Sequence, residues 1–356
     1  MSDIRTTATN SLQTIDHWLK ALAGNLTGSN VVGYRSTRVQ FSEVLVDEIR
    51  AGSPALGNQA AVNPVQYSTG GTQLKTTKTD FTQGALTATG SPTDLAINGT
   101  GFFVLSKVPN PTSMADLIFT RAGSFSFQSF VEPNKWVPEN TIGTGTQGTY
   151  RLVDPATGYF VMSVAGDYQP PPATGLPGEP RPPAERSSTG MNFGDIPVSM
   201  KFKPLEIPFI HSTGTADSVN HDNIANLRFQ STGIVVDANG EPPTGIEFVN
   251  GSMVKKPVDT YVALASFTSN DGLSRNAGGT AFDYTQAAGA YRIGVAGTRT
   301  GVLGNSELVA QNLETGNSSV NQTLPELTIA QKAFTANVKI ISVGNTLQDD
   351  LNQLIR

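Results

Sequence analysis

A glycine pattern at residues 143–148 is the first feature of the chain that could do chemistry, since it reads G-x-G-x-x-G. In a dinucleotide-binding turn these glycines let the backbone approach a pyrophosphate. That arrangement needs a strand before the turn and a helix after it, because the helix N-terminus binds the phosphate. Here a strand-like run at 150–153 follows the pattern, where a helix would be required. We therefore predict an ordinary loop at 143–148.

The remaining chemistry-bearing residues are scattered along the chain. Of the three histidines, His17 stands apart from His211 and His221, whereas a zinc site needs three or four ligands at defined spacing. Cysteine is absent, which excludes thiol catalysis, and no G-x-S-x-G nucleophile motif occurs. Adjacent carboxylates such as Asp349 and Asp350 point in different directions on a helix, so they make poor acid–base pairs. The sequence predicts no catalytic, cofactor-binding or metal-binding residues, and hence no enzyme.

Composition narrows the class of protein further. The 356 residues suffice for two or three domains, and 36 glycines with 22 prolines are typical of loop-rich β structure. A net charge of -5 without a basic patch argues against nucleic-acid binding. No segment reaches the roughly 20 apolar residues that span a membrane, so we expect no membrane insertion. The mixed charge of the first residues does not fit a signal peptide, so any export would proceed without a cleaved signal.

The elements at the two ends of the chain share an apolar stripe at steps of three or four residues, which predicts a helix at each end. The first helix is expected over 3–28, with Gly28 as its stop. The last is expected to begin with a capping box at Thr323 and Glu326 and to run to about Ile355, with Gly344 as its weak point. The stripe residues are Ile4, Ala8, Leu12, Ile15, Leu19, Leu22 and Leu26, then Leu324, Leu327, Gln331, Phe334, Val338 and Ile341, followed after a phase slip by Leu347, Leu351 and Leu354.

Such a stripe most often packs on the core of its own domain. Here the stripes occupy the extreme termini, and the adjoining segments 51–72 and 294–322 are polar. This placement favours packing of one terminal helix on the other, or on a neighbouring subunit. The pattern therefore indicates assembly as the function.

Between the helices the sequence alternates in short apolar runs, which predicts strands. Asn98-Gly99 between two such runs predicts a hairpin turn, because both turn residues need positive φ. The Pro-rich run 167–190 predicts a surface linker or long loop. Strands are expected at 73–81, 94–97, 102–105, 119–127, 150–164, 198–209, 226–237 and 261–267, with a turn at 237–240 and a short helix or strand at 41–49.

Several blocks of the chain resemble, in order, those of bacterial flagellar rod and hook proteins. The first is Asn25-Leu-Thr-Gly-Ser-Asn-Val-Val-Gly33-Tyr34-Arg35, where that family carries Asn-Leu/Ile-Ala-Asn followed by Thr-x-Gly-Phe-Lys. The second group is 80–86 with 94–103, followed by 119–125. The last is the helical segment 329–337, which resembles Gln-Arg-Ala-Phe-x-x-Asn. The resemblance covers about 1–165 and 255–356, and it leaves the choice between hook and distal rod open.

The resemblance implies an α+β fold with a mainly β body, whose N- and C-terminal helices pair as a coiled-coil-like inner domain lining a tube. It implies a structural subunit that leaves the cell through the flagellar type III export apparatus. It further implies a homo-oligomer, a helical tube at the hook or basal body, which contacts neighbouring rod, hook or junction proteins and transmits torque. A secreted β-rich binding module or adhesin remains the alternative.

From these patterns we expect three parts: a terminal assembly domain (1–50 plus 312–356), a β-rich body (73–165 plus 255–300) and a Pro-rich, β-rich insert (166–254). The assembly interface is expected to use residues of both stripes together with those that the resemblance adds. These residues are Leu12, Ile15, Leu19, Leu22, Asn25, Leu26, Gly33, Tyr34, Leu327, Gln331, Phe334, Val338, Ile341, Leu347, Leu351 and Leu354.

Overall fold

A computed structural model describes twelve segments of the chain. They are 2–43, 47–50, 66–68, 72–136, 145–165, 203–212, 227–237, 240–249, 252–257, 260–276, 279–296 and 306–354. The chain divides into two compact units. Unit 1 comprises Met1–Asn30, Arg35–Thr82 and Asn317–Arg356, and unit 2 comprises Val31–Tyr34 and Gln83–Gly316.

Unit 1 consists of two long helices and two small antiparallel ribbons. Helix α1 spans Ser2–Gly28, and helix α2 spans Val320–Leu354. Strand β1 (Thr37–Glu43) pairs with β4 (Thr72–Thr79), and β2 (Asp47–Arg50) pairs with β3 (Gln66–Ser68). The two terminal helices pack together, as the sequence predicted. The sequence predicted either a short helix or a strand at 41–49, and the described residues of that range lie in strands β1 and β2.

Helix α1 ends where the sequence predicted, but α2 begins earlier than expected. The backbone N–H of Thr323 donates to the carbonyl of Ser319, so Ser319 lies just before the first turn and Thr323 lies inside the helix. The hydroxyl of Thr323 also donates to that carbonyl, at 2.8 Å. The predicted capping box is therefore wrong, because a Thr already inside a helix satisfies its hydroxyl on the preceding turn. Pro325 also lies within the helix, where its ring removes one backbone donor.

Unit 2 is built of short strands, most of them in one antiparallel sheet of 12 strands among the described residues. Its members are β7 (Phe102–Ser106), β8 (Leu117–Thr120), β9 (Ser126–Trp136), β10 (Gly145–Val153), β11 (Phe160–Ala165), β12 (Lys203–Pro204), β13 (Glu206–Ser212), β18 (Thr260–Val262), β19 (Leu264–Phe267), β20 (Ser274–Arg275), β21 (Ala281–Asp283) and β22 (Tyr291–Gly294). The strand order along the sheet is β13-β10-β11-β7-β8-β21-β20; of the other five strands, β9, β12, β18 and β19 pair with members of this series, and β22 pairs with β19. The smaller pairs are β5 (Leu86–Ala88) with β24 (Asn312–Glu314), β6 (Leu95–Asn98) with β23 (Glu307–Ala310), β14 (Arg228–Phe229) with β15 (Val235–Val236), and β16 (Thr244–Val249) with β17 (Ser252–Pro257).

A continuous apolar core holds unit 2 together. It combines residues of the large sheet, such as Phe103 and Leu152, with Leu95 and Ile97 of β6 and Leu308 of β23. Aromatic pairs add directional contacts, as between Phe103 and Phe125, whose ring centroids lie 5.1 Å apart in a T-shaped arrangement. The predicted α+β fold with a mainly β body is confirmed.

Three local predictions in the body need correction. β6 and β7 flank Asn98-Gly99, yet β6 pairs with β23 and β7 with β8, so the pair does not close a hairpin. The φ of Gly99 is positive, as expected, but β6 and β7 each pair with another strand and not with one another. The expected loop at 143–148 is a strand from Gly145 onward, because β9 and β13 both hydrogen-bond to it. The single strand predicted at 119–127 is interrupted between Thr120 and Ser126.

The other strand predictions hold in part. At the turn expected at 237–240, the N–H of Gly240 donates to the carbonyl of Asp237 at 3.1 Å, and the two residues between them lie outside the described segments. Strands occur within each of the other predicted ranges. The Pro-rich run 167–190 and most of the connection 51–72 lie outside the described residues.

Candidate assembly surface

The buried side of α1 is a seam at alternating steps of three and four residues. Ala8, Ile15, Leu22 and Asn25 are buried along it, and Trp18 is half-buried. Ala8, Ile15 and Leu22 belong to the predicted stripe, whereas its members Leu12, Leu19 and Leu26 are only half-buried. Seams of this spacing suit helix-on-helix packing, because they keep one side of the helix on its partner.

The buried side of α2 is narrow and made of small or polar residues. Only Thr323 and Ala330 are fully buried among the described residues of this helix. Leu327, Asn337 and Ile341 are half-buried on the same side. Small residues allow close approach to α1 but remove little apolar area from water, so the pairing of the two helices leaves most of α2 uncovered.

Two exposed apolar stripes flank this buried side of α2. The first contains Leu324, Phe334 and Val338, which the sequence predicted. The second was predicted only at its C-terminal end, by Leu347, Leu351 and Leu354, and its large side chains are between 39% and 82% exposed. It recurs at steps of three, four or seven residues, and it comprises Ile329, Ala336, Ile340, Val343, Leu347, Leu351 and Leu354. Exposed apolar area on this scale marks an interaction surface.

The residues predicted for the interface fall into three groups. Ile15, Leu22, Asn25, Gly33 and Tyr34 are buried within the single chain. Leu12, Leu19, Leu26, Leu327 and Ile341 are half-buried, and Gln331, Phe334, Val338, Leu347, Leu351 and Leu354 are exposed. The exposed members all lie on α2. Their part in assembly stays a prediction.

Asn25 secures the point where α1 passes into β1. Its side-chain amide donates to the carbonyl of Thr37 at 2.8 Å and accepts from the N–H of Thr37 at 2.7 Å. A side-chain amide can bond to both the N–H and the carbonyl of one residue only when the amide lies directly beside that residue. Asn25 therefore fixes the strand that leaves the helix, which explains its burial.

Asn317 performs a similar task just before α2. Its Oδ1 accepts from the N–H of Ser36 at 2.6 Å, and its Nδ2 donates to the carbonyls of Asp80 and Thr82 at 2.7 and 3.1 Å. One side chain thus joins three connecting segments within unit 1. No sequence pattern indicated this role, since Asn317 lies 235 or more positions away from each of its partners.

The carboxylate of Asp80 lies beside this junction. Burial raises its pKa, but hydrogen bonds from Thr82 and the charges of Arg38 and Arg35 together outweigh burial, so the pKa is lowered. Arg38 Nη2 lies 2.9 Å from Asp80 Oδ2. The charged form is therefore the one built into unit 1.

His17 and His211, considered above as possible ligands, lie in different units. His17 is exposed on α1, and His211 lies in β13, while His221 is outside the described segments. Among those segments, no group of three or more His, Asp or Glu side chains is placed to bind a metal. No described helix is both long and apolar enough to cross a membrane.

Comparison with known proteins gives relatives of one kind. No protein-family model matches the chain. The flagellar hook protein FlgE of Rhizobium meliloti is 24% identical over 422 aligned positions, which cover 95% of this chain and 95% of the relative. FlgE of Treponema pallidum is 30% identical over 42% of the chain, and the flagellar basal-body rod protein FlgG of Borreliella burgdorferi is 31% identical over 35%.

The matched regions cover only part of the first relatives. The chain spans 24% of FlgE from Borreliella burgdorferi, 28% of the Treponema pallidum protein and 44% of the Borreliella rod protein. The relative from Rhizobium meliloti is matched over nearly its whole length. These relatives confirm the resemblance to flagellar hook and basal-body rod proteins that the sequence predicted, and they support a structural protein of the flagellum.

Proposed function

We propose that this chain is a structural, non-catalytic subunit that assembles helically with its own copies into the flagellar hook or the distal rod, and so transmits motor torque to the filament. The observation that carries the proposal is the uncovered apolar face of α2. Helix α1 covers one narrow side of α2, and two apolar stripes remain exposed on either side of it. The names of the relatives support the flagellar assignment.

The arrangement of the stripes suits an open polymer. The stripe of Leu324, Phe334 and Val338 differs from the stripe of Ile340, Val343 and Leu347 in position and in side-chain shape. A subunit with two different apolar surfaces makes head-to-tail contacts. Such contacts generate helical filaments when the rotation from one subunit to the next does not close a ring. Copies of the same chain supply the covering surface at every step.

The proposed division of labour follows the sequence. The segments 1–50 and 312–356 would form the assembly domain, the segments 73–165 and 255–300 the body, and 166–254 an outer insert. The subunit would reach its place at the hook or basal body through the flagellar export apparatus, and neighbouring rod, hook or junction proteins would be its other partners. The full-length match to a hook protein supports hook over rod.

The test uses two exposed β-branched residues of α2. Val343→Asp places a charge on the second stripe, whereas Thr335→Asp places the same charge on the polar side of the helix. Purified protein is concentrated and imaged by negative-stain electron microscopy. We expect tubes from the unchanged chain and from Thr335→Asp, and none from Val343→Asp. Tubes from Val343→Asp, or no tubes from the unchanged chain, would contradict the proposal, and a curved tube would indicate hook.

A further inference from the structure

Asn98 and Gly99 form a dipeptide that can react with itself. The backbone nitrogen of the glycine attacks the side-chain carbonyl carbon of the asparagine and forms a new N–C bond. The bond to the side-chain nitrogen breaks, and ammonia leaves with the proton that the backbone nitrogen gives up. Water then opens the cyclic imide to aspartate or isoaspartate. Glycine favours this reaction because it has no Cβ to obstruct the ring closure.

The side chain of Gln83 engages the reacting groups of this dipeptide. The N–H of Gly99 donates to Gln83 Oε1 at 3.0 Å, so the attacking nitrogen is engaged as a donor. Gln83 Nε2 lies 3.4 Å from Asn98 Oδ1 and also donates to the carbonyl of Ile97 at 3.3 Å. The amide of Gln83 thus contacts both the attacking nitrogen of Gly99 and the side-chain carbonyl of Asn98, and it also binds the backbone carbonyl of Ile97.

Other contacts hold the backbone on the far side of the dipeptide. Arg121 Nη2 donates to the carbonyl of Gly99 at 2.7 Å, and the hydroxyl of Ser306 donates to the carbonyl of Thr100. Gly99 itself has a φ of 118°. Closing the imide ring requires the peptide between Asn98 and Gly99 to rotate toward the asparagine side chain. These hydrogen bonds oppose that rotation.

We infer that Asn98-Gly99 is a self-modification site whose deamidation is held slow by Gln83, acting as a positioning residue. The hydrogen bond from the N–H of Gly99 must break before the nitrogen can attack, and the hydrogen bond from Gln83 to Asn98 Oδ1 restrains rotation of the asparagine side chain. Gln83 immediately precedes Gly84, whose N–H is itself fixed by Glu314 at 2.8 Å. The backbone next to Gln83 is therefore held in place by a hydrogen bond to Glu314.

Modification at this site would damage the pairing of β6 with β23. Asn98 lies directly opposite Glu307 in that pair, so deamidation to aspartate would set two carboxylates side by side. Like charges in directly opposed positions destabilise a strand pair. The isoaspartate product would also add a methylene group to the backbone just before the carbonyl that Arg121 binds.

The experiment compares the unchanged chain with Gln83→Met, which keeps the length of the side chain and removes its three hydrogen bonds. Both proteins are incubated at neutral pH, and peptide mass spectrometry follows conversion at Asn98. We expect Gln83→Met to react about three- to ten-fold faster, the rate change that the loss of ordinary hydrogen bonds would produce. The variant Asn98→Gln, in the Gln83→Met background, should abolish the signal at this position.

The chain contains two further Asn-Gly pairs, at 239–240 and 250–251, which serve as internal clocks in the same digest. Their rates should be the same in both proteins. An unchanged rate at Asn98 in Gln83→Met would overturn the inference. A parallel rise at all three pairs would overturn it as well, since that would reflect general loosening of the fold.

Discussion

Arg121 and Glu314 form an ion pair inside unit 2, with Arg121 Nη1 and Glu314 Oε2 3.2 Å apart and side chains 5% and 0% exposed. The second carboxylate oxygen of Glu314 accepts from the N–H of Gly84 at 2.8 Å. Arg121 also donates to the carbonyls of Ile97 and Gly99. The pair therefore joins four segments that are distant in the sequence, one of them the last strand before α2.

Breaking this pair should strongly destabilise unit 2. Glu314→Gln removes the charge that compensates Arg121, and an uncompensated buried charge costs about 3–5 kcal/mol. The free energy of unfolding, measured by urea denaturation with far-UV circular dichroism, reports the loss. The matched control is Asp16→Asn, which breaks the exposed pair of Asp16 with Lys20 on α1. That change should cost no more than about 1 kcal/mol. Equal effects of the two variants would contradict the role of the buried pair.

Gly33 is required by space as well as by backbone conformation. Its φ is +70°, and an added Cβ would lie 2.3 Å from the backbone nitrogen of Ala122. Gly158 has nearly the same φ, +72°, with no atom within 4 Å of an added Cβ. Gly158→Ala should therefore cost about 1–2 kcal/mol from conformation alone. Gly33→Ala should cost a further 1–3 kcal/mol or so, because the backbone around it must shift.

Thermal or urea denaturation of the two alanine variants separates these contributions. The difference between them isolates the clash, since both positions share the conformational cost. If the two variants lose the same stability, the close approach of residue 33 to Ala122 is not a constraint on the fold.

Asp80 should make the stability of unit 1 depend on pH. Because its pKa is lowered in the folded chain, the charged form contributes stability at every pH above the ordinary value of an aspartate. That contribution is lost as the pH falls through the lowered pKa. Asp80→Asn should therefore be less stable than the unchanged chain at neutral pH, and the gap should close in acid. A gap that stays constant from neutral to acidic pH would show that the charge is not involved.

The sequence predicted the helices well, because an apolar period of three to four residues is a local property. In α1 it identified Ala8, Ile15 and Leu22 of the buried seam but not the polar and aromatic members of that seam. The seam of α1 also contains Asn25 and Trp18, which are held there by contacts with residues outside the helix. The amide of Asn25 accepts a hydrogen bond from the N–H of Thr37, and the indole of Trp18 packs on the ring of Phe41 at a centroid distance of 5.6 Å. A pattern search that counts only aliphatic residues passes over such positions.

The stripe on α2 that includes Val343 was visible in principle. Its last members Leu347, Leu351 and Leu354 were predicted. Ile329, Ile340 and Val343 were passed over, because the stripe that begins at Leu324 determined the prediction for the first half of the helix. The Asn317 junction and the Arg121–Glu314 pair had no such signal. They depend on contacts across more than 190 positions, which only the folded chain brings together.

The last turns of α2 should gain order when subunits assemble. Every described residue of the stretch 345–354 is exposed, and a helical segment of that length without packing is marginal in water. We therefore expect the helical signal in circular dichroism to rise from monomer to polymer. Hydrogen exchange should locate the change, with amides of 345–354 becoming protected in the polymer and those around Leu22 protected in both states. Equal helix content in monomer and polymer would contradict this expectation, because the apolar stripes would then be covered without any gain of structure.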